Sequence, residues 1–157
     1  MFKSNGTSRL SRLNDKLILT QTDTTVGFVS QNSSLLASVK ERPSTKPFIK
    51  VYNSLKDLKD GHKRVPHRYK KHLRRLKKTS FVVKNEAFRI APYPLHSNIL
   101  RSSHWSYSTS ANESGKSFDR EFCESKADII IEDQNALEEK EASKLFKINN
   151  KKIKRLR

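Results

Sequence analysis

One cysteine, four glycines, one tryptophan and no apolar run longer than three residues are what this chain of 157 residues has little of. The lone Cys123 excludes an internal disulfide and any cysteine-based zinc cluster. The short apolar runs exclude a transmembrane helix, which needs about 20 predominantly apolar residues in a row. The first residues are basic but have no apolar stretch of the kind a secretory signal uses, so a soluble, cytoplasmic protein with no membrane partner is expected. Neither the Walker-type nor the dinucleotide-type glycine loop occurs, and helix-turn-helix, RRM and zinc-finger signatures are absent as well. His62, His67 and His72 recur every five residues within a run of cations that would repel a metal ion, so no metal site is expected. Hydrophobic residues make up only 34% of the chain, which predicts a lean core. The length suits a loose lead-in over residues 1–14 and a single domain over 15–157.

Acidic residues are also scarce, 16 against 33 Lys and Arg, giving a net charge of +17. The imbalance is local. Residues 62–78 hold nine Lys/Arg, three His and no acid, and residues 144–157 hold seven Lys/Arg and no acid. Ten of the 16 acids fall between Glu113 and Glu141. Such polarisation reads as an electrostatic footprint for RNA or another polyphosphate, with Lys70, Lys71, Arg74 and Arg75 as the candidate RNA-facing residues. The competing reading is a solvated basic surface.

Apolar spacing predicts interleaved strands and helices. Strands are expected over Lys16–Thr20, around Phe48–Val51, over Phe81–Val83 and Ala87–Ile90 joined across Asn85, over Trp105–Ser110 and over Asp128–Ile131, with two more near the C-terminus meeting at Asn149-Asn150. Helices are expected after Asn32-Ser33-Ser34 and ending at Pro43, around Leu55 and Leu58 stopped by Gly61, along Tyr69, Leu73 and Leu76, around Leu95–Leu100, and around Phe118–Ala127. Strands interleaved with helices argue a mixed α/β fold with an open sheet.

Three polar segments could carry chemistry. Gln21-Thr22-Asp23-Thr24-Thr25-Val26-Gly27-Phe28 is a hydroxyl-dense turn after a strand, suited to a carboxylate, an amine or a phosphate, or simply to bonds with its own backbone. Lys40-Glu41-Arg42-Pro43-Ser44-Thr45-Lys46-Pro47 puts three cations on a proline-stiffened loop. That suits a triphosphate, with Arg42 able to grip two oxygens at once, or cations answering a helix C-terminus. Ser108-Thr109-Ser110-Ala111-Asn112-Glu113-Ser114-Gly115 runs from a strand into hydroxyls and an amide, suited to a nucleotide through Ser110 and Asn112, or to an ordinary polar loop.

Taken in order, these segments resemble the YrdC/YciO/YwlC family, which contains the L-threonylcarbamoyladenylate synthases. The turn at 21–27 is similar to the family's Tyr-Pro-Thr-Asp/Glu-Thr-x-x-Gly signature. Lys40-Glu41-Arg42-Pro43 is similar to its Lys-x-Arg-Pro loop, and Ala87-Phe88-Arg89-Ile90 to its Ala-Val/Ile-Arg-Val/Ile strand. Ser143–Lys147 resembles its late Ser-Thr-Ile strand, and Arg155 its terminal arginine. The resemblance implies a YrdC-like twisted open mixed sheet with flanking helices and a basic concave face. It implies synthesis of threonylcarbamoyl-AMP and pyrophosphate from L-threonine, bicarbonate or carbon dioxide, and ATP with Mg²⁺, for threonylcarbamoyladenosine modification of tRNA with separate threonylcarbamoyl-transfer proteins.

By the same resemblance Lys40 and Arg42 are the catalytic pair. Arg42, Lys46, Ser110, Asn112 and Arg155 would contact ATP. Thr24, Arg89 and Ser143 would hold threonine, and either Thr79 or Ser80 would add a hydroxyl. The chain departs from the family pattern where Gln21 replaces a proline, Val51 stands at a frequent histidine, a Trp-Pro-Gly-Pro stretch before Phe81 is missing, and the segment before Ser143 carries Glu138, Glu139 and Glu141 in place of its glycine. A second reading therefore stands beside the enzyme: a catalytically degenerate YrdC-like protein that binds tRNA or double-stranded RNA.

Overall fold

The computed structural model describes residues 15–43, 47–61, 64–91 and 94–157. The expected lead-in over 1–14, His62, and the Ser44–Lys46 part of the cationic loop lie outside the described residues. The described chain runs β1 (Ile18–Gln21), β2 (Val26–Ser30), α1 (Ser33–Val39), β3 (Ile49–Tyr52), α2 (Leu55–Asp60), a 3-10 turn (His67–Tyr69), α3 (Lys70–Arg75), β4 (Thr79–Val83), β5 (Glu86–Ile90), α4 (Pro94–Ser103), β6 (Trp105–Ser110), α5 (Arg120–Lys126), β7 (Ile129–Ile131), β8 (Lys144–Ile148) and β9 (Ile153–Arg155). All nine strands join one mixed sheet in the order β7-β1-β2-β6-β3-β5-β4-β8-β9. The pairs β1–β7, β3–β5 and β4–β8 are parallel, and the other five are antiparallel. The expected mixed α/β sheet with flanking helices is the fold observed.

The period-2 alternation of the strands sorts the residues into two faces. One face packs Leu17, Leu19, Val26 and Phe28 against Leu36 of α1 and Cys123 of α5. The same face continues through Tyr52, Phe81, Phe88 and Ile148, which pack with Leu58 of α2 and with Tyr69 and Leu73 at α3. The opposite face is covered in part by α4, where Val51 and Ala91 meet Leu100. The register places small polar residues and one arginine on this second face: Ser106, Ser108 and Ser110 beside Gly27 and Val29, then Arg89 beside Ser80, then Leu145 and Lys147. The two larger apolar clusters thus belong to one face, while the second, only partly covered by α4, has room for chemistry. Among the described residues no helix is long and apolar enough to cross a membrane.

Local signals explain most boundaries. Asn32 caps α1 by accepting a bond from the Leu35 amide at 3.1 Å, and Ser54 caps α2 by accepting from Asp57 at 3.1 Å. The helix α1 stops at Val39, earlier than Pro43, because Glu41 takes a positive φ of 47° and the Glu41 and Arg42 amides bond back to the Ser38 and Ala37 carbonyls, a Schellman-type C-cap. Lys84 and Asn85 both have positive φ, 48° and 68°, the geometry of a tight hairpin between β4 and β5. The expected stripe of Tyr69, Leu73 and Leu76 is cut short. Tyr69 and Leu73 are buried, but the backbone becomes extended at Leu76, whose side chain is left exposed. The strand β2 is absent from the sequence reading, because a glycine inside a polar stretch reads as a turn.

Gly27 in β2 is there for space. A Cβ at this position would lie 2.9 Å from the Thr109 carbonyl oxygen and 2.9 Å from Thr22 Cγ2. The first contact is backbone and cannot rotate away. Gly27→Ala is expected to destabilise the fold by about 1–3 kcal/mol, as overpacking does, lowering Tm by about 2–10 °C. A thermal melt followed by circular dichroism checks this, and an unchanged Tm would contradict the close approach.

Candidate active site

The turn after β1 folds over the polar strand face. Thr22 Oγ1 donates to the Thr25 carbonyl at 2.6 Å, lies 3.2 Å from Thr24 Oγ1, and accepts from the Thr24 amide at 3.2 Å. Every residue from Thr20 to Thr25 is buried. This network fixes Asp23, whose carboxylate meets the Arg89 guanidinium at 3.0 Å. Arg89 is 4% exposed and also donates to Ser80 Oγ at 3.2 Å. Ser80 Oγ lies 2.8 Å from Ser143 Oγ. Arg157 closes the chain of contacts, donating to the Ser143 carbonyl at 3.1 Å and to its hydroxyl at 3.4 Å. Four separate parts of the sequence therefore converge on one polar cluster, with Asp23 as its anion and two guanidiniums as its cations. Burial lowers the Arg89 pKa, Asp23 opposes that shift, and Arg157 adds to it.

A second cluster lies at the end of α1. The Lys40 ammonium donates to the Ser110 carbonyl at 3.1 Å, to the Asn112 carbonyl at 2.8 Å and to Asn112 Oδ1 at 2.7 Å. Ser110 Oγ donates to the same Oδ1 at 2.7 Å. All three ammonium hydrogens are thus directed at the loop after β6. Burial lowers the Lys40 pKa, with the neighbouring Arg42 charge a smaller cause in the same direction. The Arg42 guanidinium lies 5.0 Å above the Phe48 ring and donates to the Pro47 carbonyl at 3.4 Å. Gly27 joins the two clusters: its strand pairs with Ser110, and Thr22 packs on its Cα.

The structure brings together Thr24, Ser80, Arg89 and Ser143 of the sequence candidates at the first cluster, and Lys40, Ser110 and Asn112 at the second, with Arg42 alongside. Between the two hydroxyl alternatives, Ser80 faces the cluster, while Thr79 lies on the other face and bonds the Lys77 carbonyl at 2.9 Å. Arg155 is not brought in. It pairs with Phe146 in the β8–β9 register, on the helix-covered side, and its Nε bonds the Arg157 carbonyl at 3.1 Å. The arginine that reaches Ser143 is Arg157, two residues on, since alternation along the strand exchanges faces only at odd spacings and the chain leaves β9 after Arg155. Lys46 lies outside the described residues. Sequence reading missed Asp23 as a partner for Arg89. An acid flanked by buried hydroxyls was the available signal. The acidic stretch before Ser143 straps the turn: the Glu138 amide donates to Gln21 Oε1 at 2.8 Å and the Lys140 amide to Thr25 Oγ1 at 2.9 Å.

With this arrangement in view, the comparisons with known proteins are direct. The Sua5/YciO/YrdC family model, described as telomere recombination, matches residues 12–157. The chain belongs to the Sua5/YciO/YrdC family. No curated protein sequence matches it. Among solved structures, P. abyssi Sua5 complexed with L-threonine superposes with a TM-score of 0.77 at 18% identity, over 96% of this chain and 53% of that one. E. coli YciO superposes with a TM-score of 0.74 at 13% identity, over 96% of this chain and 87% of that one. A full-length HypF in a phosphate- and nucleotide-bound form gives a TM-score of 0.74 at 13% identity, over 96% of this chain and 28% of that one. The chain therefore spans about half the length of the Sua5 protein and most of YciO. At these identities the likeness establishes the fold. As a Sua5/YciO/YrdC member the chain has the expected architecture, with the first cluster on the polar face of the sheet and the second at the sheet end where α1 meets the loop after β6.

Proposed function

We propose that this chain is an L-threonylcarbamoyladenylate synthase. The observation that carries the reading is that buried Arg89, Asp23 and hydroxyls, reached from the surface by Arg157, lie near a lysine-held Ser-x-Asn loop, with Gly27 between them. The first suits an amino acid carrying two anionic groups, and the second suits a nucleotide. The family membership and the L-threonine and nucleotide complexes named for Sua5 and HypF support the same assignment.

The chemistry asks little covalent help from the protein. The threonine amine and bicarbonate give a carbamate and water. A carbamate oxygen then attacks the α-phosphorus of ATP, the bond from that phosphorus to the bridging oxygen breaks, and pyrophosphate leaves. Catalysis rests on positioning and on offsetting anionic charge. Arg89 and Arg157 would meet the carboxylate and the carbamate, with Ser80, Ser143 and Thr24 placing their oxygens. Ser110 and Asn112 would hold the nucleotide, and Arg42 its phosphates. Lys40 acts through the loop it holds and through its charge. Mg²⁺ would come with ATP as part of the substrate, and no step is assigned to it. The product would serve threonylcarbamoyladenosine modification of tRNA, with transfer proteins as partners.

The test is pyrophosphate release from ATP. Release that requires both L-threonine and bicarbonate is the expected result, and Arg42→Ala should lower it by about 10²-fold or more, as loss of a positioned cation at a reacting phosphate does. Absence of any threonine- and bicarbonate-dependent release, alongside salt-sensitive RNA binding, would favour the RNA-binding reading instead.

A further inference from the structure

The sheet has two edges of opposite charge. Among the described residues no strand lies beyond β7 at one end or β9 at the other. Residues 113–141, which contain β7, carry ten acids against four Lys/Arg, while residues 144–157, which contain β9, carry seven Lys/Arg and no acid. Both edges also expose apolar side chains. Ile130 of β7 is 44% exposed, Ile153 of β9 is 43% and Leu156 beyond β9 is 48%, three of the four large apolar side chains exposed among the described residues. At about 4.8 Å per strand the two edges stand about 38 Å apart, so they cannot meet within one copy.

Direction and register make the two edges fit one another. Five of the eight strand pairs across the sheet are antiparallel, an odd number, so β9 runs opposite to β7. A second copy shifted along the sheet, with the same face up, therefore lays its β9 antiparallel beside β7. Ile130 pairs with Leu19 and Ile153 with Ile148, both core residues, so both isoleucines project on the helix-covered face. Their backbone groups face outwards. The Ile129 amide bonds the Leu17 carbonyl at 3.2 Å, which turns Ile130 away from β1. The Asn149 amide bonds the Lys152 carbonyl at 3.1 Å and the Leu156 amide bonds the Leu145 carbonyl at 2.7 Å, which turns Ile153 and Arg155 away from β8. With Ile130 set opposite Ile153, antiparallel counting puts Asp128 opposite Arg155 and Glu132 opposite Lys151. An isoleucine flanked by two acids thus meets an isoleucine flanked by two cations. Asp128 is fixed by the Leu17 amide at 2.8 Å and Glu132 by the Arg120 guanidinium at 2.7 Å, so both carboxylates are held at the edge. Pairing β7 with β7 would set Asp128 against Glu132, and pairing β9 with β9 would set Lys151 against Arg155. Like charges directly opposite disfavour both.

We propose that β7 of one copy pairs with β9 of the next, so that the chain associates with itself head to tail through its sheet edges. Each copy offers one edge of each kind, so the association is heterologous and does not stop at a dimer. Contact between three-residue strands buries little, below about 1,000 Å², which places it among weak, reversible interfaces. The net charge of +17 opposes self-association. Salt screens that repulsion beyond about 8 Å, whereas the edge pairs act at contact. Lys70, Lys71, Arg74 and Arg75 of α3 line a separate groove that includes no edge-strand residue. Edge pairing leaves the polar strand face open, and it does not rest on the enzyme reading.

Sedimentation velocity of the full chain from about 10 μM to about 1 mM, the range of weak interfaces, should show a mean mass that rises past the dimer. Lys151→Glu with Arg155→Glu reverses the β9 edge, and Asp128→Lys with Glu132→Lys reverses the β7 edge. Each variant alone should weaken association by about 10-fold or more. Mixed in equal amounts they should associate again, because each presents the edge charge that the other lacks. Thermal melts verify folding. A disulfide trap keeps the test open should a reversed variant not fold. Ile130→Cys chains mixed with Ile153→Cys chains in oxidised-glutathione buffer should form a cross-linked dimer, since the Cα atoms of such a pair lie about 5.5 Å apart. Neither variant should cross-link alone. Ile130→Cys mixed with Lys154→Cys should not cross-link either, because Lys154 projects on the other face. A chain that stays monomeric over the whole range, reversed variants that associate like the wild type, or a mixture without rescue overturns the proposal. So does cross-linking of Ile130→Cys with itself as readily as with Ile153→Cys.

Discussion

Arg89→Met is expected to destabilise the protein by about 3–5 kcal/mol, because it leaves the Asp23 carboxylate buried without its cation. That is a large share of the roughly 5–15 kcal/mol by which an ordinary domain is stable. The ion pair spans 3.0 Å with both side chains almost fully buried, so water cannot replace the missing partner. Asp23→Asn combined with Arg89→Met removes both charges and should recover a large part of the loss. Urea unfolding of the wild type, the two single variants and the double variant measures the coupling. Additive losses would show that the pair is not energetically coupled. Activity separates from stability in the same set. The double variant regains its fold, yet threonine-dependent pyrophosphate release should stay absent, since the cation for the carboxylate or carbamate is gone. Release restored along with stability would remove Arg89 from the threonine site.

Lys40→Met is expected to lower ATP-dependent turnover by about 10²–10³-fold, the usual scale for removing one positioned charged donor. The substitution leaves three oxygens of the Ser110–Asn112 loop without their shared donor, and the loop loses the geometry that would hold the nucleotide. KM for ATP should rise, while KM for threonine changes little, because the Arg89 cluster does not contact Lys40. Lys40→Arg should not rescue, since a planar fork cannot direct three bonds from one nitrogen. The pH profile gives a further check. The Lys40 pKa is lowered from 10.5 by burial, so activity should fall on the alkaline side below the ordinary lysine range. Between the lowered value and 10.5 the unfolded chain binds more protons than the folded one. The Lys40 contribution to stability therefore increases as pH rises through that window, while activity declines. An alkaline limb unchanged in Lys40→Arg would assign it to another group.

Much of this was legible in the sequence for a local reason. Caps, turns and apolar spacing act over a few residues, so Asn32, Gly61 and the Asn85 hairpin were readable, as were the three polar segments. What was not legible depends on register. The choice of Ser80 over Thr79 follows from pairing with β5 and β8, and a shift of one residue reverses the face. The place of Arg157 depends on where β9 ends, and the pairing of Asp23 with Arg89 joins the turn between β1 and β2 to β5, which neighbours neither strand in the sheet. The strand β2 was hidden because its Gly27 serves the close approach of Thr109, a contact made only in the folded sheet.

The sheet order also sets when the site can exist. Leu17 bonds Asp128 across 111 residues, and Ser80 meets Ser143 across 63. Contacts of that separation form late and slowly, because loop closure must be completed before they stabilise anything. During synthesis β4 stays an open edge until β8 emerges, and Ser80 and Arg89 wait for Ser143 and Arg157. A chain stalled before residue 143 would contain nearly all of its core but not the finished contacts of Ser80 with Ser143 and Arg157, with a bare strand edge open to pairing with other chains.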